Sequence, residues 1–247
     1  MQYITRSSSL MSSFGLVLAL AVAPASYAAQ WGYGTNNGPQ HWGEHFTICA
    51  SGQNQSPIDI NRAVDADLAD LMVEYQGQVA QLLNNGHTVE AKVAGTNQLL
   101  LDGEQFQLKQ FHFHTPSENM INGKQYPMEA HFVHANAQGQ LAVIGVMFEQ
   151  SKQDNPVLTQ LFKQLPQNGK SVMVTPQVNV AEMLPKANDY YRFNGSLTTP
   201  PCSEGVRWLV LQHPVSASKA QITKLHAMMG NNNRPLQAIN ARLVVED

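Results

Sequence analysis

Residues 110–134 read Gln110-Phe-His112-Phe-His114-Thr-Pro-Ser117-Glu118-Asn-Met-Ile-Asn-Gly-Lys-Gln-Tyr-Pro-Met-Glu129-Ala-His131-Phe-Val133-His134. In an extended strand successive side chains point to opposite faces. His112 and His114 therefore share one face, with Phe111 and Phe113 on the other. Glu129, His131 and Val133 share a face in the same way, and His134 points away from it. If the two segments pair as neighbouring antiparallel strands, three imidazoles converge on one point with a carboxylate beside the third. Three neutral nitrogen donors with an open fourth position describe a catalytic zinc site. The competing reading is a solvated sheet face above a phenylalanine core. The third histidine on a second alternating strand, two residues after Glu129, weighs toward the metal.

Outward from that stretch, the N-terminus carries an export signal pattern. Arg6 gives a positive start, and Phe14 to Ala23 is an apolar run too short to span a bilayer. Small residues at Ser26 and Ala28 place cleavage after Ala28, so residues 1–28 read as a cleaved signal peptide and 29–247 as one domain. The expected location is the periplasm, with no membrane attachment after cleavage. The chain has 15 Lys and Arg against 18 Asp and Glu, a net charge of −3 with no basic stripe, which excludes a nucleic-acid partner. Its two cysteines, Cys49 and Cys202, fit one disulfide in an oxidising compartment. Closing so long a loop stabilises by about 4 to 5 kcal/mol on the chain-entropy account.

Residues 31–57 read as irregular and turn-rich. Residues 79–101 read as two strands joined at Asn84-Asn85-Gly86, a tight-turn signal, and 99–108 and 110–114 continue the extended pattern. The run from Leu141 to Phe148 suits a strand buried on both faces, and Trp208 to Leu211 is another core strand. Two helices are expected. One is capped by Asn155, starts at Pro156 and places Leu158, Leu161, Phe162 and Leu165 on one stripe before Pro166. The other runs from Ser218 to Met229 and stops at Gly230. The predicted fold is mainly β with short helices, a single domain on a large, mostly antiparallel twisted central sheet.

Residues 195–202, Gly195-Ser-Leu197-Thr198-Thr199-Pro-Pro-Cys202, are too polar and proline-bound for a strand interior and are expected to form a rigid loop. Together with Gln110-Phe-His-Phe-His114, Ser117-Glu118 and Glu129-Ala-His131, this segment resembles the α-class carbonic anhydrases. Gly32-Tyr33-Gly34, Gln55-Ser56-Pro57, Asn84-Asn85-Gly86-His87 and Asn233-Arg234-Pro235 match in the same order. The resemblance covers essentially the whole chain after residue 28, and the signal peptide and cysteine pair resemble the exported bacterial branch.

The resemblance implies zinc on His112, His114 and His131, and reversible hydration of carbon dioxide to bicarbonate by hydroxide on the metal. The pKa of the metal water falls to about 7, a value for which carbonic anhydrase is itself the standard example. It implies Gln110 and Glu129 as outer partners of His112 and His131, Glu118 orienting Thr198, and Thr198 orienting the hydroxide. It further implies Thr199 against bicarbonate, with Val133, Val143, Leu197 and Trp208 as the apolar wall for carbon dioxide. His87 is the implied proton shuttle, with Tyr33 and Asn85 ordering the intervening waters, and a homodimer is the implied assembly.

Three positions depart from the animal enzymes. Asn119 stands for a histidine, Phe193 for a tyrosine that contacts it, and Glu90 for a cavity amide. Rival readings are a non-catalytic binding module of the same family, a cupin-type metal barrel and an esterase side activity. The first lacks zinc histidines that this chain retains, and the second gives the proline loop no role.

Overall fold

The computed structural model describes residues 31–247, so the predicted signal peptide lies outside the described residues. The segment that decides the fold behaves as its alternation requires. Strand Glu104–His114 pairs antiparallel with Met128–Ala135, which pairs antiparallel with Leu141–Ser151. Among the described residues these belong to a 13-stranded sheet. From one edge its order is Ser171–Asn179, Gln78–Asn84, Val89–Ala94, Glu104–His114, Met128–Ala135 and Leu141–Ser151. It continues through Glu204–Leu211, Tyr190–Ser196 and Val245–Glu246 to Val64–Asp65. Most neighbours are antiparallel, but Leu141–Ser151 runs parallel to Glu204–Leu211 at the centre.

The sheet separates two cores. Phe111, Phe113, Phe132, Ile144 and Leu209 face the larger one, which Leu158, Leu161 and Leu225 of the helices complete. The opposite face holds a smaller cluster around Val143, Phe193, Val206 and Trp208. Leu141 to Phe148 is buried almost throughout, as a strand covered on both faces must be.

Local chemistry sets the element ends. Gln78–Asn84 and Val89–Ala94 turn at Asn85–Thr88, where Gly86 takes φ 88°, a conformation glycine adopts without Cβ strain. Residues 79–101 hold a third strand, Asn97–Leu101, because Gly95 at φ 79° turns the chain back earlier than the hydrophobic pattern indicates. Asn155 Oδ1 accepts from Val157 N and Leu158 N to cap helix Pro156–Leu161. That helix stops at Leu161, while Phe162 still packs into the core. Ser218 and Gln221 form a reciprocal capping box on helix Lys219–Met229. Two one-turn helices, Trp42–His45 and Ile48–Ser51, interrupt the turn-rich stretch 31–57. No helix among the described residues is long and apolar enough to cross a membrane.

The loop expected at 195–202 starts later than anticipated. Gly195 and Ser196 still belong to strand Tyr190–Ser196, paired to Val206 and Glu204, and the irregular chain begins at Leu197. Gly195 is small because the backbone passes tightly there. A Cβ would strike Ser56 Oγ and sit 2.8 Å from the Trp208 indole. Cys49 and Cys202 are disulfide-bonded across a separation of 153 residues, fastening the far end of this loop to helix Ile48–Ser51. Gly195→Ala is expected to destabilise by about 1 to 3 kcal/mol, the usual cost of overpacking; a denaturation midpoint equal to the parent's would contradict this tight passage.

Candidate active site

His131 stands opposite His112 in the ladder, and Glu129 opposite His114. This register places one ring nitrogen from each of His112, His114 and His131 within 4.8 Å of the others. A bulge at Lys109 shifts the register only beyond Val133, so it leaves the three histidines in phase.

Each ring has a different acceptor close to its outer nitrogen. His112 Nδ1 lies 2.9 Å from Gln110 Oε1, His114 Nδ1 lies 2.7 Å from the Asn232 main-chain oxygen, and His131 Nε2 lies 2.9 Å from Glu129 Oε1. These acceptors place the proton on the outer nitrogen and leave Nε2 of His112, Nε2 of His114 and Nδ1 of His131 as lone pairs facing inward. Burial pushes the pKa of His112 well below its ordinary value, helped by the neighbouring His114 and His131, and also lowers that of His114. His112 and His114 are thus neutral, as metal ligands must be.

The centre of the cluster is made for a cation. His114 Nε2 and Glu118 Oε2 are buried without a hydrogen-bond partner, 3.4 Å apart, and Glu118 Oε2 is 3.8 Å from His131 Nδ1. His131 Nε2, though 2.9 Å from Glu129 Oε1, is likewise not aligned for a hydrogen bond. Unpaired buried polar atoms are costly and rare. Three nitrogen donors with room for a fourth ligand fit zinc.

Glu129 is completely buried. Burial opposes its charge, but the His131 partner and hydrogen bonds from Asn119 outweigh it and hold the carboxyl below the usual range. Its Oε2 accepts from Glu118 N at 2.8 Å and Asn119 N at 2.9 Å, and its Oε1 from Asn119 Nδ2 at 2.9 Å. Asn119 Oδ1 meanwhile accepts from Ile58 N at 3.1 Å. Both polar atoms of the amide at this departure therefore have a partner. Phe193 needs none, lying parallel to the Trp208 ring with centroids 6.0 Å apart.

Glu118 differs from Glu129. Burial pushes its carboxyl up to about 7, against the downward pull of His131, the Thr198 hydroxyl and the Arg234 N–H. Arg234 N donates to Glu118 Oε1 at 2.8 Å. The Arg234 guanidinium donates to Gln55 Oε1, Ser56 O and Cys49 O, each at 2.8 Å, and Gln55 Nε2 donates to Cys202 O at 3.0 Å. Thr198 is buried in the loop so anchored, between Leu197, whose N–H donates to Ser203 O, and Thr199, whose carbonyl accepts from Cys202 N.

On the same sheet face, Val133 lies opposite Val143, which lies beside Trp208. Leu197 packs against this cluster, and the Trp208 ring meets His131 edge-on at 4.8 Å. A cleft of about 160 Å³ leads to His112 and His114, past Trp31, Tyr33, Asn85, His87, Glu90 and Thr199. His87 stacks on Trp31 with centroids 3.8 Å apart and planes 12° off parallel, and partial burial lowers its pKa. Asn85 Oδ1 accepts from His87 N and Thr88 N at 2.9 Å, so only its NH₂ group is left for the cleft. Burial raises the pKa of Tyr33, which keeps its hydroxyl protonated. Glu90 is the ladder partner of His112.

The remaining histidines lie elsewhere. His134 is buried on the opposite face, 2.6 Å from the Tyr75 hydroxyl and 3.2 Å from Ala142 O. His41 and His213 pair with Glu44 and Asp189 at the surface.

Asn232, Arg234 and Asn119 are contributors that sequence reasoning left without roles. The motif Asn233-Arg234-Pro235 marks the segment, but a main-chain carbonyl or N–H acting on a distant side chain leaves no residue signature.

Residues 37–247 match the family model of eukaryotic-type carbonic anhydrase. A carbonic anhydrase of Pectobacterium carotovorum is 46% identical over 94% of this chain and 98% of its own length, and one of Klebsiella pneumoniae is 44% identical over 93% and 96%. The structure of the Photobacterium profundum alpha-carbonic anhydrase superimposes with a TM-score of 0.87 at 56% identity, over 88% of this chain and all of that one. The histidine cluster that strand alternation anticipates thus sits in a fold and a sequence shared with established enzymes, and the chain belongs to the α-carbonic anhydrases, zinc lyases that interconvert carbon dioxide and bicarbonate.

Proposed function

We propose that residues 29–247 form an exported catalytic domain that holds zinc on His112, His114 and His131 and passes the proton of carbon dioxide hydration to His87. The single observation that carries this reading is the convergence of three imidazoles whose outer nitrogens have acceptors and whose inner nitrogens face one another. Zinc bound there supplies Lewis acidity that lets a water lose its proton near neutral pH, a chemistry for which carbonic anhydrase is the standard example.

The chain's own residues do the rest. A cation on the three histidines would favour the ionised form of Glu118 over the protonated one that burial promotes. Ionised Glu118 only accepts, so the Thr198 hydroxyl donates its hydrogen bond there and keeps its lone pairs for the attacking oxygen. That directs the nucleophile toward the wall of Val133, Val143, Leu197 and Trp208, where an apolar gas displaces little bound water. Thr199, in the cleft wall, is the polar contact for bicarbonate. His87 sits in the same cleft, its lowered pKa keeping it neutral and ready to accept a proton at pH 7. Tyr33 and the Asn85 amide order the water between. The disulfide between Cys49 and Cys202 supports an oxidising compartment, as export to the periplasm requires.

His114→Ala should lose zinc on dialysis and fall to about a hundredth or less of parental hydration, checked by metal analysis with stopped-flow assay; a zinc-loaded, fully active variant would overturn the ligand assignment. Hydration should rise with pH through about 7 as the water ionises, and a flat pH profile argues against it. His87→Ala should slow turnover about ten-fold or more in weak buffer and recover with added imidazole, whereas equal rates in both enzymes would remove His87 from the proton path.

A further inference from the structure

The strap from Gly230 to Arg234, which follows helix Lys219–Met229, reaches several parts of the site. Its main chain holds His114 through the Asn232 oxygen and Glu118 through the Arg234 N–H. The Asn232 side chain does something separate. It is fully buried, and its Nδ2 donates to His87 O at 3.1 Å and to Phe113 O at 2.9 Å. Its Oδ1 accepts from Thr115 N at 2.8 Å. One amide thus binds the turn that carries His87 to the strand that carries His112 and His114, across 119 residues of chain between Phe113 and Asn232. The helix end reinforces the joint, since Val89 N donates to Met229 Sδ at 3.2 Å and Thr88 Oγ1 to Phe113 O at 2.6 Å.

We infer that Asn232 is a positioning residue for proton transfer, its side-chain amide fixing the span between the His87 turn and the ligand strand. This rests on the reading of His87 as shuttle. Only a side chain with both a donor and an acceptor fits. The Nδ2 position faces two carbonyl oxygens and the Oδ1 position faces an N–H, so aspartate, with oxygen at both positions, would set a lone pair against His87 O and Phe113 O. The joint matters because proton relay through water depends steeply on its length. The His87 ring stacks on Trp31, and its place follows from the main chain whose carbonyl Asn232 holds. The attack on carbon dioxide does not use this joint, so the two steps should separate in kinetics.

The test compares Asn232→Asp, Asn232→Ala and His87→Ala with the parent as zinc-loaded enzymes. In weak buffer, kcat of the Asn232 variants should fall about five-fold or more while kcat/KM stays within about two-fold, and imidazole should restore kcat. Zinc affinity, measured by chelator competition, should stay within about ten-fold, and NMR of the zinc-free Asn232→Asp protein should show the His87 and Thr88 resonances displaced with those of His131 unmoved. Equal loss of kcat and kcat/KM together with zinc release overturns the inference in favour of a role in holding His114. If either variant does not fold, the other carries the comparison, and if neither folds the amide is a folding element and the inference fails. Parental kcat in the Asn232 variants alongside a slow His87→Ala defeats the positioning role alone, while a fast His87→Ala defeats the shuttle reading itself.

Discussion

The site depends on the register of two antiparallel strands. His112 opposite His131, and His114 opposite Glu129, give the cluster its geometry before any loop is considered. A slip of one residue would send the phenylalanines to the face of the histidine cluster and the histidines into the larger core, so the penalty for a wrong register is the loss of both. The stacked Phe111 and Phe132 rings on the far face, 4.7 Å apart, lock the same register from behind. Catalytic geometry and core packing are two sides of one ladder.

Burial then sets the chemistry of each group. His112 and His114 are kept neutral because charging them inside the sheet is expensive. Two carboxylates only eleven residues apart are driven in opposite directions. Glu129 collects N–H donors and a histidine and stays ionised, while Glu118 has fewer donors and is pushed up by the same burial. The difference matches their positions, one steadying an imidazole and the other facing a hydroxyl. Asn119 belongs to this balance, since its amide and backbone supply two of the donors that hold Glu129.

Long-range ties bring the remaining parts to the cluster. The loop with Thr198 is fastened by the disulfide at Cys202 and by Gln55, and Gln55 is held by the Arg234 guanidinium whose backbone N–H reaches Glu118. Glu118, beside the Thr198 hydroxyl, and the loop that carries Thr198 are therefore fixed to the same buried arginine. Residues 230–235 close the site as a strap rather than as a regular element, because irregular backbone can turn carbonyls and N–H groups toward side chains that a helix or strand would consume internally.

Alternation alone singled out His112, His114 and His131 and set His134 aside, since both follow from a period of two along a strand, while Gln110 as the partner of His112 was readable only through the resemblance. The helix caps and the glycine turn before His87 were equally local and equally legible. The motif around Thr198 was readable as a resemblance, although its first two residues are strand because Gly195 permits a close pass that a polar, proline-bound segment does not advertise. Tertiary structure alone decided that Asn232 and Arg234 act through their main chains, that Asn119 fills the donor set of Glu129, and that the parallel seam beside Trp208 completes the apolar wall. These depend on atoms every residue shares, or on partners a hundred residues away, and neither leaves a periodicity for a sequence to show.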